Sequence, residues 1–336
     1  MALSIREHVA LGPLVTLKTG GAARYFTTAE TVEDIKEAAY FAEQNKLPLF
    51  VLGGGSNLLV SEEGFSGLVV QLKLKGITYA SQSDATCKLT AAAGEELDVV
   101  IADSVARGLW GLENLSHIPG SIGATPVQNV GAYGVEVADI ILEVTVFDCV
   151  TKKIFTMSNS ECHFLYRHSI FKEKNNLIIL LVTFMLSALP NPKVAYADLA
   201  QLSTSALTPQ VIRDCVIGVR ASKFPDWHTV GTAGSFFKNP VIPKAEVAAL
   251  LLKYPDLPTY PAANGQIKVS LGYILDKICG LKGFTLGHVR LYEKQALVLV
   301  ADAGATTQEI KNFKNIISKI VFEKTFITIE QEVTEI

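Results

Sequence analysis

Three consecutive glycines, Gly53–Gly55, end the apolar run "LPLFVL" and are followed by Ser56 and Asn57. Two more apolar segments come next, "NLLV" and "LVVQL", with a turn at "EEGFSG" between them. No helical spacing follows the glycines, and no lysine stands behind them. That order limits what can be built here. A Rossmann fingerprint opens a helix on its glycines, and a P-loop needs a lysine and a hydroxyl residue after the last one. Strand, glycines and strand leave two options. One is a nest of backbone N–H groups that takes an anion between strands; the other is an ordinary glycine turn. The pentapeptide alone is compatible with both.

The rest of the chain narrows the class. A length of 336 residues suggests two or three domains. With 49% hydrophobic and 19% charged residues the chain is globular. A net charge of −3 gives no basic footprint for nucleic acid. An anion-binding protein of this charge must therefore concentrate Lys and Arg locally. The five cysteines are scattered and form no CxxC pair, which argues against a disulfide framework or a zinc site and suits a reducing compartment. Charges interrupt the N-terminal apolar residues, so no signal-peptide core is expected. The greasiest run, Leu177–Leu189, contains Thr183 and Ser187 and falls short of the ~20 residues of a spanning helix. It reads as a buried strand. The expectation is a soluble, cytoplasmic, monomeric protein with no metal, no nucleic-acid partner and no membrane insertion.

Along the chain, "TVEDIKEAAYFAEQNK" predicts a helix with Thr31 as its cap and Asp34 three residues on. "EELDVVIADSVARGLW" predicts a second helix. The segment Gly111–Gly134, "GLENLSHIPGSIGATPVQNVGAYG", holds five glycines, two prolines and one formal charge. Such a composition is neither regular structure nor a polar linker, and a long irregular loop inside a domain is usually functional. It should wrap a large ligand, with Gln128 and Asn129 offering amide hydrogen bonds. "ILEVTVFDCV" and "KIFTMS" predict a hairpin, and Thr208 with Pro209 opens a helix over "TPQVIRDCVIGVRASK". Beyond a boundary near 221 the pattern is helix (243–254), helix (270–279), strand (296–300), helix (307–322) and a final strand "TFITIEQEV".

Taken in order, "LGGGSNLL", the long loop, "FLYRHSIFK", "GTAGSFFKNP" and "EQEV" resemble the UDP-N-acetylenolpyruvoylglucosamine reductases (UDP-N-acetylmuramate dehydrogenases), FAD enzymes of bacterial peptidoglycan synthesis. The resemblance runs from about Thr16 to Val333, and "VAYADL" is similar to the form with a tyrosine-bearing substrate loop. It implies an α+β chain of the vanillyl-alcohol-oxidase (PCMH) type, with FAD-binding subdomains at 1–75 and 76–220 and a C-terminal α/β substrate domain at 221–336. It also implies that NADPH reduces FAD, which then reduces the small-molecule substrate UDP-N-acetylglucosamine enolpyruvate. Gly53, Gly54, Gly55, Ser56 and Asn57 would cradle the FAD pyrophosphate. Gly120, Ser121, Gly123, Gln128, Asn129 and Tyr133 would hold the rest of the cofactor.

Hydride addition to the enolpyruvyl group creates an enolate-like dianion, which needs positive charge placed in advance and then a proton. By resemblance Arg167 supplies the charge, Ser235 the proton and Glu332 the catalytic carboxylate, which a buried acidic setting would keep protonated. Each residue also has a plainer reading: an ion-paired arginine, a turn serine, an edge-strand glutamate. Glu330 is a rival that shares a strand face with Glu332. The resemblance assigns Tyr166, Tyr196, Lys223, Asn239 and Gln295 to the substrate, and Lys238 offers further charge for its diphosphate. His163 and His168 lack metal-site spacing and an obvious acidic partner. Three departures stand out. Thr232 replaces a common Asn, Gln331 replaces a common Pro, and the sequence ends at Ile336, so tail contacts across the site are not expected. An oxidase of the same fold and a non-catalytic flavin or sugar-nucleotide binding module are the alternatives.

Overall fold

The computed structural model describes residues 3–200, 202 and 207–336. Among these residues the chain divides into two compact units. One takes residues up to Val9, Ala23–Gly55 and Ser66–Arg220; the other takes Ala10–Ala22, Ser56–Phe65 and Ala221–Ile336.

The first unit is built on two sheets. One orders β1 (Arg6–Ala10), β2 (Ala22–Ala29), β3 (Leu49–Leu52) and β4 (Phe65–Leu72) as β1-β2-β4-β3, with β3 and β4 parallel. Helix α1 (Val32–Gln44) begins where expected: Thr31 Oγ1 accepts the Asp34 N–H at 3.1 Å, and Asp34 returns the bond to the Thr31 N–H at 2.8 Å. The other sheet contains β5 (Ile77–Ser81), β6 (Thr86–Ala92), β7 (Ile141–Asp148), β8 (Ile154–Ser158) and β9 (Leu177–Ser187). Its order is β8-β7-β9-β6-β5. The greasy strand β9 pairs on both sides, with β7 and β6, which is why it can be almost wholly apolar. Its one hydroxyl in mid-run, Thr183, bonds Thr90 across the sheet at 3.0 Å.

Helices α2 (Leu97–Ala106) and α3 (Pro209–Lys223) are tied to the long loop. Arg213 grips Asp98 with both guanidinium nitrogens, at 2.6 and 2.9 Å. Asp98 also accepts the His117 N–H at 2.6 Å, and Arg220 Nε donates to the His117 carbonyl at 3.0 Å. Both backbone polar groups of one residue with a left-handed backbone, His117 (φ 60°), are thus caught by side chains.

The second unit has a sheet in which β10 (Gly231–Ser235), β11 (Thr285–Leu286), β12 (Val289–Leu291) and β13 (Val298–Ala301) are ordered β10-β13-β12-β11. Helix α4 covers Lys244–Lys253 and α5 covers Thr307–Thr325. The two N-terminal pieces are built in by hydrogen bonds. Thr232 N–H donates to Thr16 O at 2.9 Å, and Gly21 N–H to Ser61 O at 2.7 Å. Thr307 Oγ1 donates to Val60 O at 2.6 Å, and Glu62 accepts from the first N–H groups of α5. Leu17 and Leu59 are fully buried in this unit's core.

Two expected elements differ. The helix over 270–279 is one α turn, Leu271–Tyr273, continued by a π stretch, Ile274–Ile278. The final strand is not a strand over most of its length. Helix α5 runs on to Thr325, and Phe326 reverses the chain at φ 57°. The remainder makes one bridge, Phe237 with Gln331, before Thr334–Glu335 pairs parallel with Leu58–Leu59. Ile327, Ile329 and Val333 alternate into the core, so the period of two comes from burial without a ladder. Among the described residues no helix is long and apolar enough to cross a membrane.

The Asp98–Arg213 pair sets an acid limit on stability. Burial works to raise the Asp98 carboxyl, but the Arg213 hydrogen bonds and the His117 N–H outweigh it and hold Asp98 below the usual carboxylate range. Its stabilisation is present above the unfolded carboxyl pKa of about 3.9 and is lost as pH falls through the folded value. Arg213→Met should lower the urea midpoint at pH 7 and flatten its fall below about pH 4. An unchanged acid limb would refute the assignment.

Candidate active site

In the first unit two loops meet backbone to backbone. A Cβ on Gly54 would lie 2.8 Å from Gly120 Cα, and one on Gly53 would lie 2.5 Å from Ser121 Oγ. Only glycine allows this approach. Gly55 (φ 66°) and Gly120 (φ 137°) take conformations that side chains resist. Among the described residues none accepts a hydrogen bond from the N–H of Gly54, Gly55, Gly120 or Ser121. Donors gathered without a protein acceptor form an anion nest, so the residues fit the diphosphate of a dinucleotide cofactor such as FAD. The second loop is fixed from behind: Leu97 N–H donates to Gly120 O at 3.0 Å, Ile122 N–H to Glu95 O at 2.8 Å and Gly123 N–H to Ala93 O at 2.9 Å. Gly123 is required because a Cβ there would meet Ala93 Cβ at 2.6 Å.

Arg167 also belongs to this unit. It sits on a tight reversal closed by two bonds between Leu165 and His168, at 3.0 and 3.1 Å, with its own φ at 54°. Its Nη2 donates to Gly131 O at 2.9 Å and its Nη1 to Asn129 O at 3.4 Å. The guanidinium lies 5.4 Å from the Tyr166 ring centroid. Asn129, expected to face the cofactor, is buried with its amide engaged inside the protein. It donates to Glu136 Oε2 at 2.7 Å and to Leu165 O at 3.1 Å, and accepts from Ala138 N–H at 3.0 Å. Its side chain is a strut beneath the arginine turn. Gln128 is half-buried on the preceding turn. Tyr133 is buried, with Tyr196 edge-on at 5.4 Å. Burial pushes the Tyr133 phenol up to about 12, so it stays protonated. His168, for which no acidic partner was expected, bonds Glu173 at 2.8 Å.

In the second unit Ser235 ends β10, just after a register break between Thr232 and Ser235. Thr232 holds that bulge: its hydroxyl donates to Leu299 O at 2.8 Å and accepts the Gly234 N–H at 3.2 Å. Gly234 was expected for close approach. No protein atom lies within 4 Å of where its Cβ would be, and glycine is demanded by its φ of 72°. Glu332 N–H donates to Phe236 O at 2.8 Å, which brings the Glu332 segment beside the residue that follows Ser235. Asn57 reaches the same place, with Nδ2 on Glu332 O at 3.3 Å. Glu330, the rival carboxylate, is exposed and paired with Lys238 at 3.1 Å, so both are accounted for as a surface ion pair. Asn239 Oδ1 accepts the Leu271 N–H at 2.9 Å, and Gln295 Oε1 lies 3.2 Å from where a Cβ on neighbouring Gly272 would be. These two substrate candidates therefore both lie beside the turn at Leu271–Gly272. Lys223 is the last residue of α3, and Ser56 is half-buried in the Ser56–Phe65 piece.

Sequence reasoning passed over Glu113 and Asn114. Both are buried, Glu113 Oε2 accepts the Gly111 N–H at 2.6 Å, and Asn114 bonds Tyr133 O and Lys193 O at 2.9 and 2.8 Å. Glu113 Oε1 and Asn114 Oδ1 have no partner among the described residues. The available signal was Glu113 itself, the single charge in an otherwise apolar loop.

The comparisons agree with this geometry. A family described as "FAD binding domain" matches residues 23–157, and one described as "UDP-N-acetylenolpyruvoylglucosamine reductase, C-terminal domain" matches 226–336. The chain is 39% identical to a UDP-N-acetylenolpyruvoylglucosamine reductase of Neisseria meningitidis serogroup A, over 98% of this chain and 96% of that one. It is also 39% identical to the protein of that name from Chromobacterium violaceum, over 99% of each. The crystal structure of the Thermus caldophilus enzyme superposes with a TM-score of 0.70 at 25% identity, covering 99% of both chains. The expected α+β fold, an FAD-binding region with a C-terminal domain, is thereby met.

Gly54→Ala should separate the two loops and weaken flavin binding by at least about tenfold, read from flavin fluorescence on titration, while the melting curve without flavin stays within a few degrees. Wild-type flavin affinity would remove the cradle. Burial raises the Glu113 carboxyl. The stabilisation linked to its proton is complete below the unfolded value of about 4.3 and is lost as pH rises through the folded one. Glu113→Gln has no proton to lose. Its urea midpoint, relative to wild type, should therefore rise between pH 4 and pH 8.

Proposed function

The chain belongs to the UDP-N-acetylenolpyruvoylglucosamine reductase family, and we propose that Arg167, Ser235 and Glu332 handle the charge that its reaction creates. The protein is a flavin-dependent oxidoreductase of peptidoglycan-precursor synthesis that turns UDP-N-acetylglucosamine enolpyruvate into UDP-N-acetylmuramate. The glycine nest would hold FAD, which when bound would supply the hydride-transfer chemistry between NADPH and the enolpyruvyl methylene carbon.

The observation that carries the residue assignment is the backbone bond from Glu332 to Phe236, which sets the carboxylate's segment against the strand end that bears Ser235. Arg167 is suited to the substrate carboxylate. Its guanidinium is braced on the carbonyls of Asn129 and Gly131, so its fork is oriented before charge develops. Ser235 is suited to protonate the neighbouring carbon, since a hydroxyl gives up its proton only to a strong base formed close by. Ser235 follows the bulge at Ala233–Gly234, where the ladder with β13 shifts register. Glu332 is suited to orient that proton transfer.

We assign the FAD diphosphate to the glycine nest of Gly53–Gly55, Gly120 and Ser121, and further cofactor contacts to Ser56, Asn57, Gly123, Gln128 and Tyr133. Tyr166, Tyr196, Lys223, Asn239 and Gln295 are assigned to the sugar nucleotide. We assign FAD binding to 1–75 and 76–220 and substrate binding to 221–336. Five free thiols support a cytoplasmic setting, and we take the working form as a monomer.

Ser235→Ala should leave reduction of the flavin by NADPH intact and slow its reoxidation by the enolpyruvyl substrate by roughly 10²–10⁴ in stopped-flow absorbance. Reoxidation at the wild-type rate would exclude Ser235 as the donor.

A further inference from the structure

The chain around Glu332 is held at several backbone groups. Its N–H donates to Phe236 O at 2.8 Å and its carbonyl accepts from Asn57 Nδ2 at 3.3 Å. The Thr334 N–H donates to Asn57 O at 3.1 Å, and the Val333 carbonyl accepts from Gln331 Nε2 at 2.6 Å. Gln331 itself stands in a pair whose own amides take no part in the ladder. The bonds on either side belong to its neighbours, Glu332 N–H to Phe236 O and Lys238 N–H to Glu330 O at 2.9 Å. Its side chain has a further peculiarity: Oε1 is buried and accepts no hydrogen bond among the described residues. An amide left half unsatisfied is unfavourable. Its orientation is explained by the other end, because only the NH₂ group can face a carbonyl.

We infer that Gln331 and Asn57 are positioning residues for Glu332. Asn57 ties the Glu332 carbonyl, in one of the two peptide planes that flank the carboxylate. Gln331 spans Glu332 to tie the next carbonyl, Val333 O, so rotation of the chain on the C-terminal side of Glu332 is restrained. This deepens the reading of Glu332 as catalytic and rests on it. Gln331 stiffens with a side-chain bond what a proline at the same position stiffens with its ring. Proline is admissible there for the reason already given: the backbone N–H at 331 has no ladder acceptor to lose.

The test uses the flavin-loaded protein with Gln331→Ala, Gln331→Pro and Glu332→Gln. A misaimed group of about 1 Å can slow a reaction by up to about 10². Gln331→Ala should therefore slow reoxidation of the reduced flavin by the enolpyruvyl substrate by about tenfold, through kcat more than KM. It should reduce flavin with NADPH at the wild-type rate and speed hydrogen exchange at the Glu332 and Thr334 amides. Gln331→Pro should recover most of the reoxidation rate, and it decides the matter alone if the alanine variant does not fold. Wild-type reoxidation in Gln331→Ala, or a proline variant no faster than the alanine one, overturns the bracing. If Glu332→Gln is itself unimpaired, the catalytic reading of Glu332 fails instead, and the bracing loses its purpose with it.

Discussion

The first unit depends on one close approach, that of Gly53 and Gly54 to Gly120 and Ser121. Gly54 and Gly120 can meet backbone to backbone only because neither carries a side chain, and Gly53 leaves the room that the Ser121 hydroxyl takes. Each segment needs a rigid support. Strand β3, parallel to β4 and preceded by α1, delivers the first glycines. The second loop hangs from the Ala93, Glu95 and Leu97 backbone, where β6 passes into α2. Side chains from α2 and α3 hold the His117 peptide three residues earlier, so the long loop is pinned although it contains little regular structure.

The same logic governs the charged groups. With a net charge of −3 overall, the chain offers an anion no general attraction, and its site must rely on local, oriented donors. Arg167, proposed above for that role, has its guanidinium oriented by two backbone carbonyls. It occupies a left-handed backbone position that costs about 1–2 kcal/mol, as do Asn129 and Tyr133. Three strained residues persist together because Asn129 and Glu136 tie their loops through buried hydrogen bonds. In the second unit, Thr232 does for the Gly234 bulge what Asn129 does for the arginine turn.

Much of this was legible in the residues. The capping pair Thr31 and Asp34, the proline-started helix at 209 and the buried strand at 177 follow from local chemistry and periodicity, and the structure has them. The family's motifs also pointed to Arg167, Ser235 and Glu332, the residues proposed above for the chemistry. Other features were hidden. The alternating "TFITIEQEV" reads as a strand because burial of every second residue and ladder pairing give one pattern. Glu330 and Glu332 are indistinguishable by spacing, and the ion pair of exposed Glu330 with Lys238 is a contact that spacing does not show. Asn129 looked like a ligand group because an amide in a glycine-rich loop shows nothing of which way it faces.

The sequence by itself determined that strands flank a glycine loop, that a long apolar loop cannot be regular, and which family's motifs are present, since these rest on short-range conformational limits and on residue order. The tertiary structure decided which glycines touch, which amides act as struts and which backbone groups beside Glu332 are tied. Those outcomes depend on hydrogen bonds between residues as distant as Asn57 and Glu332. Such partners are set by packing and register, and no local pattern encodes them.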